Sequence, residues 1–434
     1  MTVVLFVSPP RRAVQFFAET ALRLPVDWRF LSLKPSVRSI LSQLGVEALP
    51  RRRRLDAATT GDAEVHLPNY KRGEVLRGGR ARVQQRVKAT LQRVIDEQQI
   101  GALFIWNGSG LIGATAVAIA RERGMPVLFA ENGYFPDTMQ LDALGVNQAS
   151  SATQIARERR YLGYVPPLPA SREDASEASI RRVKPSRWSR AWPELLRLLR
   201  PEAWAWLQPV RAPQLPEQLP TPLPPYVFVP LQVSKDSQLL QYSPLIGNDF
   251  GRLLDALSPA LQAVAPDHVV VFKPHTAEHR RVQRQYQAWL QRWPNVIFAT
   301  KPSSLSLIEN ARAVVTVNST VGFEGLVLGK PVITLGENFY CFAPLVQPVA
   351  QLDALPQALQ AALTTPPDLE ARRQFVDYVR HEFLIDCSYQ RLSLAQMQRF
   401  AAALAQRLAL AAALSSSRPP LIADNASAAP EPSR

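Results

Sequence analysis

Gln98-Gln-Ile-Gly-Ala-Leu-Phe-Ile-Trp-Asn-Gly-Ser-Gly-Leu-Ile-Gly-Ala-Thr-Ala-Val-Ala-Ile-Ala120 carries no charged side chain, and its reading decides the fold. About 20 apolar residues suffice to cross a bilayer as a helix. The centre of this stretch, Trp106-Asn-Gly-Ser-Gly110, is turn chemistry that would leave backbone groups unpaired in lipid. A strand over 102–106, a glycine-rich turn and a helix account for every residue instead. The stretch predicts one strand–turn–helix unit of a parallel α/β sheet and excludes a membrane span.

Outward from it, short runs rich in β-branched and aromatic residues recur at 3–7 and 127–130, and again at 226–229, 269–272, 296–299, 313–317 and 332–335. Helix-like segments separate them, which is the pattern of parallel sheets. Between the two groups, Pro201, Pro209, Pro213, Pro216, Pro220, Pro222, Pro224 and Pro225 crowd together among tryptophans. The expectation is an α/β fold of GT-B-like layout, two Rossmann-type domains facing a central cleft. Its parts are an N-terminal domain over 1–165, a Pro/Trp-rich linker over 166–225 and a C-terminal domain over 226–390. A helix over 391–414 follows, docked on its own domain or lying on a membrane surface, then a disordered tail over 415–434. Ligands of open parallel sheets bind at the C-terminal ends of the strands.

Apolar residues make up 47% of the 434 and charged residues 20%, so the bulk of the chain folds. The net charge is +14, and residues 1–100 hold 18 Lys or Arg against 9 Asp or Glu. Arg51 to Arg54 and the set Lys71, Arg72, Arg77, Arg80, Arg82, Arg86, Lys88 and Arg93 suit anionic lipid headgroups, each worth about 1 kcal/mol near such a surface. A solvated helix face is the alternative. No DNA- or RNA-binding signature accompanies the charge, so no nucleic acid is expected. Cys341 and Cys387 alone exclude a disulfide framework and a Cys-rich metal site. The apolar start ends at Pro9-Pro10, too short for a signal peptide.

Four segments carry chemistry. Phe129-Ala-Glu131-Asn132-Gly133-Tyr-Phe-Pro-Asp137 follows a strand and offers two carboxylates for glycosyl chemistry, with Asn107, Asn132 and Gly133 placed at the cleft. A cap for Glu131 and a turn for Asp137 are the plainer roles. Lys273-Pro-His275 ends a buried strand with a cation and an imidazole, which suits a phosphate. His279 is four residues on, with no further ligand at zinc spacing. Asn318-Ser319-Thr320 opens a helix, where free N–H groups and the dipole favour an anion, and a simple cap is the alternative. Gln232 follows the first strand of the second domain and could read a base or sugar edge. Glu324, one turn after Thr320, could reach a ribose hydroxyl.

Taken in order, these segments resemble the bacterial capsular polysaccharide synthesis and export proteins that include the retaining β-Kdo transferases. The resemblance spans about residues 102–345. It rests on Trp106-Asn-Gly108, Glu131-Asn-Gly-Tyr-Phe-Pro with Asp142 and Gly145-Val-Asn147, Pro230-Leu-Gln-Val with Asp236, Lys273-Pro-His275, and Asn318-Ser-Thr-Val-Gly-Phe-Glu-Gly-Leu with Gly329-Lys-Pro-Val and Leu335-Gly. It implies a peripheral enzyme at the cytoplasmic face of the inner membrane that moves Kdo from CMP-Kdo to a phospholipid acceptor, with no cofactor beyond the nucleotide sugar. Lys273 and His275 would hold the CMP phosphate, Asn318, Ser319 and Thr320 would complete that pocket, and Gln232 would help bind the donor. An acid of the Glu131 motif would attack the anomeric carbon, and two inversions give retention. The chain departs from the family at Asn132, where relatives often carry a second acid, so the nucleophile falls to Glu131 or Asp137. It departs again at His275-Thr276, where many relatives have His-Pro. The alternatives are a transferase using another CMP- or nucleotide-diphosphate-activated sugar, and a non-catalytic scaffold bound to capsule assembly proteins.

Overall fold

The computed structural model describes residues 2–50, 55–57, 65, 67, 76–167, 180–184, 217 and 219–416, with side chains of the helix 279–292 described only in part. It divides into two compact units: residues 1–130, 178–184 and 389–434, and residues 131–177 and 185–388.

The first unit is built on five parallel strands, β1 (Val4–Val7), β2 (Trp28–Leu31), β3 (Ala48–Leu49), β4 (Ala102–Trp106) and β5 (Val127–Asn132), in the order β3-β2-β1-β4-β5. The stretch quoted above folds as β4, a turn and the helix Leu111–Glu122. Gly108 takes a φ of 82°, and a side chain there would meet the Phe129 ring at 2.9 Å, so the turn requires glycine. Phe6, Phe17, Trp28, Phe104 and Phe400 form one aromatic core, with the Phe17 and Trp28 rings stacked at 5.6 Å. Phe400 belongs to the helix Leu394–Ser416, which packs on the helix Val14–Arg23. The C-terminal helix therefore docks on the N-terminal unit, not on the domain that precedes it in sequence, because its apolar face meets Phe16 and Phe17 there.

The second unit holds six parallel strands: β7 (Tyr226–Pro230), β8 (Val269–Lys273), β9 (Val296–Phe298), β10 (Ala313–Thr316), β11 (Val332–Thr334) and β12 (Gln347–Pro348), in the order β12-β11-β10-β7-β8-β9. Alternate residues enter opposite cores: Val227, Val229, Phe272 and Val315 on one face, Phe228, Val271 and Val314 on the other. Burial of both faces is why these strands read as unbroken apolar runs. β6 (Met139–Asp142), next to β5 in the strand order, pairs antiparallel with β13 (Leu384–Ile385).

Three boundaries differ from expectation. Residues 131–164 group with the second unit rather than with an N-terminal domain ending at 165. Ile155, Ala156 and Tyr161 are buried in its core, and the Tyr161 ring lies edge-on to Phe375 at 5.2 Å. Of the linker expected at 166–225, residues 180–184 lie along the first unit, where the Gln15 side chain donates to Arg181 O and accepts from Val183 N. The last helix runs to Ser416, two residues past its expected end, and residues 417–434 of the expected tail lie outside the described residues.

Arg93 bonds Asp56 and Glu97, Lys88 bonds Glu122, and Arg86 donates to the carbonyls of Leu55 and Asp56. This part of the basic set is spent on pairs within the chain. Arg51 to Arg54, Lys71 and Arg72 lie outside the described residues. Among the described residues no helix is long and apolar enough to cross a membrane.

Candidate active site

In the second unit β7→β8→β9 winds one way from the centre and β10→β11→β12 the other, so strand order reverses between β7 and β10. Open α/β sheets bind ligands outside the C-terminal ends of the strands at such a switch point. Gln232 follows β7 there, Lys273 and His275 end β8 next to it, and Asn318, Ser319 and Thr320 follow β10. The sheet thus brings every expected donor-side residue to one edge.

Their tasks differ. Gln232 and Asn318 are buried and engage each other: Gln232 Nε2 donates to Asn318 Oδ1 at 2.9 Å and its Oε1 accepts from Asn318 N at 3.3 Å. Asn318 Nδ2 shares its protons among the carbonyls of Gln238, Tyr242 and Glu337 at 3.0, 3.2 and 3.3 Å. Both amides are consumed in tying β7 to β10. These bonds shape the edge on which Lys273, His275 and Thr320 also lie.

Ser319 caps the helix Thr320–Val327, its hydroxyl accepting from Val321 N at 3.2 Å, so both the cap expected and the helix start exist. Thr320 on the first turn and Glu324 one turn on are both exposed. Lys273 Nζ donates to Thr300 O at 3.0 Å and also to Pro302 O, while burial lowers its pKa. The two carbonyls hold the ammonium at the end of β8. His275 is exposed, and its Nδ1 accepts from Ala277 N at 3.1 Å, which leaves Nε2 as the proton-bearing nitrogen of the neutral ring. Burial raises the Asp236 carboxyl, opposed by the N–H of Gln238 and the charge of His275. Asp236 caps the helix Ser237–Gln241 through Gln238 N at 2.8 Å, so β7's loop brings a carboxyl into the field of His275.

Glu131 ends β5 and belongs to this same unit. Its Oε1 accepts from both the backbone N and the side-chain Nδ2 of Asn132, each at 2.9 Å, so Asn132 supports the carboxylate it follows. Gly133 N donates to Thr138 O at 2.9 Å, and a Cβ at Gly133 would overlap Thr138, so this hairpin closes only over glycine. Asp137 takes a φ of 58° at the hairpin tip, a turn conformation that short polar residues tolerate. Asp142 is buried and pins the following loop, accepting from Leu144 N at 2.8 Å and from the Ser151 hydroxyl. Asn107 ends β4 in the first unit with a φ of 63°, and its Oδ1 accepts from Ser109.

Sequence reasoning gave no role to Tyr134, Gln140, Phe339 or Tyr340. Tyr134 bonds Gln140 Oε1 at 3.1 Å and Asn147 Oδ1 at 3.0 Å, and its ring stacks on Phe339 with centroids 4.0 Å apart. Burial pushes the phenols of Tyr134 and Tyr340 well above the ordinary tyrosine range. The one signal available was Gly322, where a Cβ would overlap the Tyr340 hydroxyl.

Residues 205–389 match the family model described as capsule polysaccharide biosynthesis protein. Protein FixF of Sinorhizobium fredii (strain NBRC 101917 / NGR234) is 28% identical over 368 residues, 82% of this chain and 81% of that protein. The solved Thermosulfurimonas dismutans KpsC β-Kdo 2,7 transferase is 18% identical, covering 73% of this chain and 89% of its own, with a TM-score of 0.39. Methanocaldococcus jannaschii UDP-GlcNAc 2-epimerase is 10% identical, covering 87% and 99%, with a TM-score of 0.34.

Proposed function

We propose that this protein is a glycosyltransferase of capsule polysaccharide biosynthesis that moves Kdo from CMP-Kdo to a lipid-linked acceptor with retention, working at the cytoplasmic face of the inner membrane. One observation carries the reading: within the segment that matches the capsule family, a cation and an imidazole follow β8 and a helix start follows β10, the strands on either side of β7, at the C-terminal edge of one parallel sheet. Lys273 supplies the fixed charge for the CMP phosphate. The first turn of the helix Thr320–Val327 adds N–H groups and the Thr320 hydroxyl. His275 Nε2 donates to the departing phosphate oxygen.

Glu131 is the nucleophile in this reading, because it ends a strand and is held by Asn132, whereas Asp137 occupies the tip of a turn. A bond forms between a Glu131 oxygen and the anomeric carbon as the bond from that carbon to the phosphate oxygen breaks, and CMP leaves with the electron pair. The acceptor oxygen then bonds the anomeric carbon from the opposite face as the bond from that carbon to the Glu131 oxygen breaks. The carboxylate leaves with the electron pair and the hydroxyl proton passes to solvent, restoring the starting configuration.

A thermal-shift titration with CMP, UDP, GDP and no nucleotide tests the donor, since a ligand of the folded state raises the melting temperature. The expected result is a shift with CMP, lost in His275→Ala, together with turnover of CMP-Kdo reduced about 100-fold in that variant. A shift with UDP or GDP instead assigns a different sugar nucleotide. No shift with any of them, alongside co-purification of capsule assembly proteins, favours a scaffold.

A further inference from the structure

Asn338, Phe339 and Tyr340 follow β11, and each grips a different part of the site. Asn338 Nδ2 donates to Asn318 O at 2.7 Å. Phe339 stacks on Tyr134, three residues after Glu131, with ring planes 9° apart. Tyr340, fully buried, donates its hydroxyl to Ser319 O, the cap of the helix Thr320–Val327. On the other side of Tyr134, Gln140 receives the phenol and returns a bond from Nε2 to Asn132 O at 2.8 Å, beside Glu131. One continuous set of contacts therefore runs from the backbone at Glu131 and Asn132, through Gln140, Tyr134 and Phe339, to Tyr340 and Ser319. Apolar packing alone does not require the polar ends: a phenylalanine at either tyrosine would fill nearly the same volume.

From this geometry we infer that Asn338-Phe339-Tyr340 is a positioning bracket that holds the Glu131 loop and the helix start at Ser319 in one register. The consequence for catalysis rests on the transferase reading, but the coupling between the two segments does not. These residues act through Glu131 and Ser319 and touch no reacting atom. With the carboxylate and the phosphate-binding end fixed together, the distance from nucleophile to leaving group is set before the donor arrives, and small misplacements of reacting groups are costly in rate.

The test compares wild type with Tyr340→Phe, which keeps the ring and removes the bond to Ser319. Amide hydrogen exchange is read at 131–138 and at 318–323 in the full chain without ligand. The bracket predicts about tenfold faster exchange in both segments. With CMP-Kdo, turnover is expected to fall about tenfold while the KM for donor changes by less than about threefold, since register and not ground-state affinity is lost. Faster exchange confined to 318–323 would overturn the bracket whatever the turnover. Faster exchange in both segments, in a protein that neither binds CMP nor uses CMP-Kdo, would leave the bracket standing and remove the transferase reading. Tyr134→Phe supplies the reciprocal measurement if Tyr340→Phe does not fold: the bracket then requires faster exchange at 318–323, and its absence sinks the idea.

Discussion

At the scale of single residues, the edge where β7 and β10 end depends on one amide. Asn318 is 1% exposed, accepts from Gln232 Nε2 through Oδ1, donates its backbone N–H to Gln232 Oε1 and satisfies three backbone carbonyls with Nδ2. An Asn318→Asp variant keeps the shape and replaces those donors with a buried carboxylate facing carbonyl oxygens. Leaving buried groups unsatisfied costs about 1–3 kcal/mol each, and more for a charge. The variant should therefore lose more than about 2 kcal/mol by guanidinium denaturation. Equal stability of the two proteins would show that Asn318 is not the tie between the strands. The sequence could not assign this role, since an Asn after a strand and before a helix reads equally well as a cap or a ligand. What decides is its set of partners, contributed by residues 232, 238, 242 and 337.

At the scale of elements, legibility followed burial. The strands β7, β8 and β10 were visible because both faces enter a core, so Tyr226–Pro230, Val269–Lys273 and Ala313–Thr316 are apolar throughout or nearly so. The strand β2 escaped because Arg29 interrupts Trp28–Leu31, and β6 because Met139–Asp142 alternates apolar with polar and pairs with a two-residue strand far along the chain. The helix Leu394–Ser416 was expected, but its seat was not, because the surface it covers is made by residues at the other end of the sequence. Phe400 meets Phe16, Phe17, Trp28 and Phe104 within 6.0 Å between ring centroids. Truncating a buried Phe costs about 3–5 kcal/mol. Phe400→Ala should accordingly destabilise the first unit by that amount and expose 394–416 to limited proteolysis. Unchanged proteolysis of that helix would mean that other contacts, such as Met397 and Leu404, hold it unaided.

For the whole molecule, the chain passes from the first unit to the second between Ala130 and Glu131, inside β5, rejoins the first over 178–184 and returns to it again at Tyr389. That crossing places Glu131 in the same unit as Lys273, His275, Ser319 and Thr320, where a division at a proline-rich linker had put it in another domain. Proline density marks where a chain cannot form regular structure, whereas unit membership is decided by which apolar surfaces meet, here Tyr134 on Phe339 and Tyr161 on Phe375. A nucleotide held at the switch point of the six-stranded sheet should then slow amide exchange in the second unit, first at 231–236, 274–278 and 318–322. With saturating CMP, protection of about tenfold or more is expected in those segments, because a ligand raises the free energy of every opening that releases it. The segments 2–50 and 389–416 should exchange as before. If the largest protection falls instead at 107–110, where the glycine-rich turn after β4 opens a helix in the first unit, the nucleotide site belongs there, and Lys273 and His275 would serve the structure of β8 rather than the donor.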